Sequence, residues 1–136
     1  MSINNPTILN HNTPTLLGSE DSVNMKTVEA KTLYTVPAGK IMVPYWIIIR
    51  SNSASLAVCQ VTYGLSTALT DFLAAHTLTN ITTAGSAVKL MPVPSATPAK
   101  EANEYTAGQI FQQNLTVAAT AAGTATIELY GTLDDA

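Results

Sequence analysis

The sequence predicts an all-β domain: a jelly-roll-like antiparallel β-sandwich with an extended N-terminal arm and at most one short helix. Short segments with alternating apolar and polar residues, separated by turn residues, are typical of half-buried strands. The strand–helix alternation of parallel sheets is missing. Only 11% of residues are charged, whereas threonine, which favours extended backbone, takes about one position in seven.

Length and charge narrow the functional classes. A chain of 136 residues fits one domain, which we divide into an arm over residues 1–22 and a sandwich over 23–136. The net charge of -3 argues against nucleic acid as a partner, since phosphate binding needs clustered Lys and Arg. We identify neither a signal peptide nor a membrane-spanning run in the sequence. The single cysteine, Cys59, excludes a disulfide within the chain.

The first 22 residues carry aliphatic side chains without strand or helix periodicity. Ile8, Leu9, Leu16 and Leu17 stand in a polar, proline-containing segment. A free tail rarely keeps paired aliphatic residues, so we expect these four to dock onto a neighbouring subunit, with plain disorder as the alternative.

Several later segments alternate as strands do. The first, which includes Tyr34, ends in a turn at Pro37 and Gly39, where proline fixes φ and glycine accepts positive φ. Residues 121–123 are predicted to form a hairpin between the last two strands. The predicted strands after that first turn are 41–50, 57–63, 88–92, 111–117 and 124–133.

The strand Ile41 to Arg50 is apolar on both alternating faces. One face would pack in the core. The other, with Met42, Trp46 and Ile48, would be covered by another subunit or by the N-terminal arm, since a bare apolar face is a solvation liability. We therefore predict that these three residues form an oligomer interface.

One segment favours a helix instead. Leu69, Phe72, Leu73 and His76 are spaced at i, i+3, i+4 and i+7 within Ser66 to His76. The spacing predicts a short helix, with a loop as the alternative.

The sequence does not group residues for catalysis or metal binding. His11 and His76 are far apart and lack the spacing of a metal site, and Cys59 lies on the inward parity of its strand. We predict that the protein is not an enzyme and needs no cofactor or metal. Tyr45 and Trp46 could form a platform for a sugar, but packing in the core or an interface is the favoured interpretation.

Three segments carry a resemblance to a known family. These are Leu33–Lys40 with the apolar strand and the Ser-Asn-Ser turn that follow it, then Tyr105–Phe111, and finally Gly123–Leu133. Across about three quarters of its length the chain resembles small bacteriophage virion proteins of the β-sandwich type, such as head decoration (cement) proteins, head fibres, and tail or neck proteins. The family pattern lacks the 69–78 segment and the long arm.

This resemblance implies a structural role. The expected function is that of a capsid decoration protein, a homo-oligomer and most simply a trimer, which binds the major capsid protein and stabilises the shell. Its partners would include neither nucleic acid nor membrane, and it would be made in the host cytoplasm and lie on the capsid surface. The alternative is a tail, neck or head-fibre module, with or without glycan binding. A small hydrolase or isomerase is a third reading, which would need a pocket joining His76 or Cys59 to carboxylates.

Overall fold

The computed structural model describes residues 13–93 and 104–136. Within these ranges the chain forms nine strands and no helix. The strands are β1 Thr15–Asn24, β2 Ala30–Thr35, β3 Lys40–Arg50, β4 Gln60–Leu65, β5 Ala68–Thr77, β6 Val88–Leu90, β7 Tyr105–Thr106, β8 Ile110–Val117 and β9 Thr124–Asp135.

Two antiparallel sheets form the sandwich. Sheet A has the order β1-β9-β3-β6, with the short β7 also paired to β3, and sheet B has the order β2-β8-β4-β5. The pairs are nested along the chain: β4 with β5, β3 with β6, β2 with β8 and β1 with β9. A long hairpin rolled up in this way is the jelly roll. The predicted fold class is confirmed.

The core lies between the inward faces of the two sheets. Phe111 is at its centre and packs against Tyr63, Phe72 and Tyr105, with ring centroids 5.6–6.5 Å apart. The buried amide of Gln113 is satisfied there, because its oxygen accepts a hydrogen bond from the Tyr63 hydroxyl. A polar group in the core is tolerated when it is paired in this way.

A bulge in β3 decides which residues face the core. Pro44 lies opposite Gly131 and Trp46 opposite Tyr130, so Tyr45 is the extra residue. The bulge reverses the alternation, because two residues of one strand then oppose one of the other. Met42, on one side of the bulge, and Ile47, on the other, are both fully buried.

The bulge corrects part of the predicted interface. Met42 faces the core and cannot contribute to an outer surface, whereas Trp46 and Ile48 are half-buried on the outer side of sheet A. The strict alternation assumed from the sequence placed all three on one face. It fails because Pro44 cannot donate to the ladder, a condition that confines proline to edges and bulges.

The predicted helix at 66–76 is wrong, because this segment forms most of β5. Phe72 and Leu73 are both buried although they are adjacent. The pairing with β4 is irregular on either side of Tyr63, and β5 folds closely over Gly64. These irregularities break the alternation of β5 and produce an apolar spacing that imitates a helix.

The predicted N-terminal arm over residues 1–22 is wrong in its C-terminal part, which forms a strand. Residues 15–22 belong to β1, which pairs with β9 across the predicted boundary at 22/23. Leu17 packs against the core, and Leu16 lies opposite Tyr130 on the outer side of sheet A. The strand was not recognised because it contains two bulges and charged residues at an edge. Ile8 and Leu9 lie outside the described residues.

The predicted hairpin at 121–123 is also wrong. The strand before it, β8, belongs to sheet B and the strand after it, β9, to sheet A. The segment therefore connects the two sheets, as the nested pairing requires, and does not join neighbouring strands.

The bulge yields a matched pair of glycine substitutions. A Cβ at Gly131 would stand 2.3 Å from the carbonyl oxygen of Val43, whereas a Cβ at Gly123 would meet its nearest neighbour, the Ala54 side chain, at 3.5 Å. We expect Gly131→Ala to lower the free energy of unfolding by about 1–3 kcal/mol. The control Gly123→Ala should lower the free energy of unfolding much less. Equal losses in urea denaturation would contradict the bulge geometry.

The placement of β1 yields a second prediction. Deleting residues 2–22 removes most of β1 and leaves β9 without its partner on that side, so the protein should lose much of its stability. Deleting residues 2–12 keeps all of β1 and is the control. Thermal unfolding followed by circular dichroism measures the melting temperatures of both deletion variants. Equal values would show that β1 contributes nothing to stability.

Candidate docking face on sheet A

The outer side of sheet A presents a cluster of apolar and aromatic side chains. Residues directly opposite each other on adjacent strands point to the same side of a sheet. Leu16 of β1, Tyr130 of β9 and Trp46 of β3 therefore form one row across the sheet, and Ile48 of β3 lies in the next. Leu16 is 49% exposed. We call these four residues the outer patch.

Trp46 is the centre of the outer patch. Its ring stacks on Tyr130, with centroids 5.8 Å apart, and meets Tyr45 edge-on at 6.2 Å. The Nζ atom of Lys89 lies 4.0 Å from the centroid of the Trp46 ring, a cation–π contact. Because β9 and β6 flank β3 on opposite sides, Tyr130 and Lys89 approach the tryptophan from opposite directions.

Charged residues surround the outer patch in a distinct order. Arg50 of β3 donates a hydrogen bond of 3.1 Å to Glu128 of β9, whose side chain is only 10% exposed. This bond and the attraction of the carboxylate raise the pKa of Arg50. Asp21 of β1 accepts a hydrogen bond from Thr126. The acidic groups thus lie on β1 and β9, and the basic groups on β3 and β6.

The outer side of sheet B differs in chemistry. Its central positions carry Thr62, Gln112 and Asn114, which are uncharged. At one end of the sheet, Val28 precedes β2, Val58 precedes β4 and Val117 ends β8. These three strands are neighbours in sheet B. These valines are 44–58% exposed. We call them the valine row.

The valine row belongs to a well-ordered end of the sandwich. Backbone hydrogen bonds link the four connections there: Met25 to Gly123, Ser53 to Thr124 and Leu56 to Ile81, each of 2.9 Å. The amide of buried Asn52 donates to the carbonyls of Ala54 and Thr83, at 2.7 Å each.

Charge is sparse at this end. The connections 51–59, 78–87 and 118–123 contain no Asp, Glu, Lys or Arg. In the fourth connection, the Lys26 ammonium donates to the carbonyls of Ala119 and Thr120. This fourth connection, residues 25–29, also contains the exposed Glu29 next to Val28, so the end presents a preorganised surface with few charges.

The candidate nucleophile of the sequence is inaccessible. Cys59 is fully buried, and desolvation raises the pKa of its thiol, which disfavours the reactive thiolate. His76 is exposed on β5, and His11 lies outside the described residues. The described parts of the chain hold no group of three or more His, Cys, Asp or Glu side chains suited to a metal ion. They also contain no helix long and apolar enough to cross a membrane.

The structure brings together only part of what the sequence predicted. Trp46 and Ile48 share the outer patch with Leu16, which had been predicted to contact the capsid, while Met42 and Leu17 belong to the core. Sequence reasoning missed Tyr130 and Lys89. Tyr130 alternates with the inward Leu129 and Gly131, a signal that could have been used. The position of Lys89 depends on the β3–β6 register.

Comparison with known proteins gives a fold likeness. No family model matches the sequence, and no curated protein matches it. The fold resembles that of a phage capsid chain. A chain in the capsid asymmetric unit of cyanophage Pam1 aligns with a TM-score of 0.51 and 11% identity, over 88% of this chain and 84% of that one. A chain of the acid-stable capsid of Helicobacter pylori bacteriophage KHP30 aligns with a TM-score of 0.48 and 11% identity, over 91% and 97%.

Burial of two weak acids predicts an alkaline loss of stability. Desolvation raises the pKa of Cys59 and of Tyr63 in the folded protein, so both stay protonated while the unfolded chain releases protons. The contribution of these two groups to the free energy of unfolding should be constant below about pH 8.5 and fall as the pH rises through the unfolded values, near 8.5 for Cys and 10 for Tyr.

Urea denaturation between neutral pH and about pH 10.5 measures this slope. Cys59→Ala and Tyr63→Phe should each flatten it, whatever their effect at neutral pH. An unchanged slope in both variants would show that these groups do not titrate on unfolding.

Proposed function

We propose that the protein is a structural component of a bacteriophage capsid, a decoration protein that binds the shell and stabilises it. The observation that carries the proposal is the pair of unlike surfaces on one complete sandwich, the outer patch and the valine row. The fold likeness to a chain of the cyanophage Pam1 capsid supports it. A protein that bridges subunits needs two separate contact surfaces, and these two lie on opposite sheets.

In this proposal the outer patch joins copies of the chain. Leu16, Trp46, Ile48 and Tyr130 are the contact residues, and Lys89 lies beside them. Aromatic side chains are enriched in protein interfaces. The trimer expected from the sequence is replaced in this proposal by a two-fold pair of chains, whose geometry is argued below.

The valine row is the proposed contact with the major capsid protein. Its surroundings carry few charges, which fits an apolar protein surface, and its hydrogen-bonded loops lose little freedom on binding. Ile8 and Leu9, which precede the described part of the chain, remain candidates for the same contact.

The glycan-binding alternative has one supporting feature, the exposed aromatic cluster around Trp46. Sugar platforms, however, need an open ring face. Tyr130 stacks against Trp46 and Lys89 lies over its ring, so both approaches to the ring are occupied. The arrangement favours a protein partner.

The copy number in particles tests the proposal. Quantitative mass spectrometry of particles purified from the parent phage should find this chain at a level comparable with that of the major capsid protein. A few copies per particle would indicate a tail or neck component, and absence would exclude a virion protein.

Variant particles test the contact surface. Val58→Asp places a charge in the valine row and should reduce the copy number about tenfold or more. Ser66→Asp, at the opposite end of the sandwich, is the control and should leave it unchanged. Equal incorporation of both variants would remove the valine row from the proposal.

A further inference from the structure

We propose that two copies of the chain pair face to face through their sheets A, about a two-fold axis parallel to the strands, so that Lys89 of each copy contacts Asp21 of the other. The inference deepens the self-association in the proposed function and names its geometry. It depends on the order of charges across the outer side of sheet A.

The charges on the outer side of sheet A fall into two halves, separated by a line that runs parallel to the strands. The acidic half contains Asp21 on β1 and Glu128 on β9, and the basic half contains Arg50 on β3 and Lys89 on β6. The boundary between the halves runs between β9 and β3, where Trp46 stacks on Tyr130. The most hydrophobic part of the surface therefore coincides with the line at which the charge changes sign.

This division makes the surface complementary to itself. A two-fold axis parallel to the strands, above the boundary, exchanges β1 with β6 and β9 with β3. Each acidic half then faces a basic half, and Trp46 of one copy faces Tyr130 of the other. A two-fold axis perpendicular to the strands would instead place like charges over each other, which is unfavourable. The same patch meets itself, as closed two-fold pairs require.

The register identifies the new contact. Ser19, Glu128, Ile48 and Lys89 form one row across sheet A. The two-fold exchange brings Lys89 over Ser19 of the other copy. Asp21 lies two residues further along β1, about 7 Å at the rise of a strand, within the span of an extended lysine side chain. On pairing, Lys89 would exchange its contact with the Trp46 ring for this carboxylate.

Pairing would also cover the apolar centre. The partly exposed Trp46, Ile48 and Tyr130 would lose contact with water at the middle of the interface, and Leu16, which is 49% exposed, would be covered toward its edge. Fully desolvated aromatic residues inside a charged rim carry most of the binding energy in protein interfaces. The charges at the rim select the orientation.

Charge reversal tests the geometry. The variants are Lys89→Glu, Asp21→Lys and the double variant, with Lys31→Glu and Glu29→Lys as controls that make the same charge changes in and beside strand β2 of sheet B. Analytical ultracentrifugation of the full chain gives the mass, and far-UV circular dichroism checks that each variant is folded. If Lys89→Glu does not fold, Lys89→Gln replaces it.

We expect the unmodified protein and both controls to form dimers. Each single reversal should weaken dimerisation about tenfold or more, because it places two like-charged pairs in the interface. The double reversal should restore the dimer. A one-to-one mixture of Lys89→Glu and Asp21→Lys should form a heterodimer, since both of its cross-contacts are then between opposite charges.

Other results would overturn the pairing. These are a monomer or trimer of the unmodified protein, single variants that dimerise normally, a double variant that stays monomeric, or a mixture that forms no heterodimer. None of these outcomes bears on the copy number in particles, so the pairing and the proposed role in the capsid fail separately.

Discussion

The bulge of β3 against Gly131 is the constraint on which the two faces of sheet A depend. It reverses the alternation within an almost continuously apolar strand, so that Met42 and Ile47 both enter the core and Trp46 turns outward. It exists because Pro44 cannot complete the ladder and because glycine alone leaves room for the carbonyl of Val43. Without the reversal, Trp46 would face the interior and the outer patch would lose its centre.

Much of the fold could be predicted from local patterns, because most strands alternate cleanly. The segments around Tyr63, Phe111 and Ile127 have an inward side that the core confirms. Errors arose where the alternation was interrupted. The bulges of β5 brought Phe72 and Leu73 into adjacent buried positions, which resembles a helical spacing, and bulges in β1 hid a strand in the apparent arm.

The candidate site was less predictable, because it depends on register between distant strands. Trp46 and Ile48 could be recognised from their strand alone. Their neighbours Leu16, Tyr130 and Lys89 come from three other strands, and only the nested pairing brings them together. The valine row has the same origin, since its members lie about 30 and 60 positions apart in the chain. The resulting molecule has a closed core and two different outer surfaces, one aromatic and charged, the other aliphatic with few charges.

The central claim is that the outer patch is covered when copies of the chain associate. Trp46 is the chain's single tryptophan, so its fluorescence reports on this surface alone. Acrylamide quenching measured over a range of protein concentrations tests the claim most directly. The account predicts that quenching decreases as the sedimentation mass rises, because association removes Trp46 from solvent. An increase in mass with unchanged quenching would contradict it, since association would then use another surface.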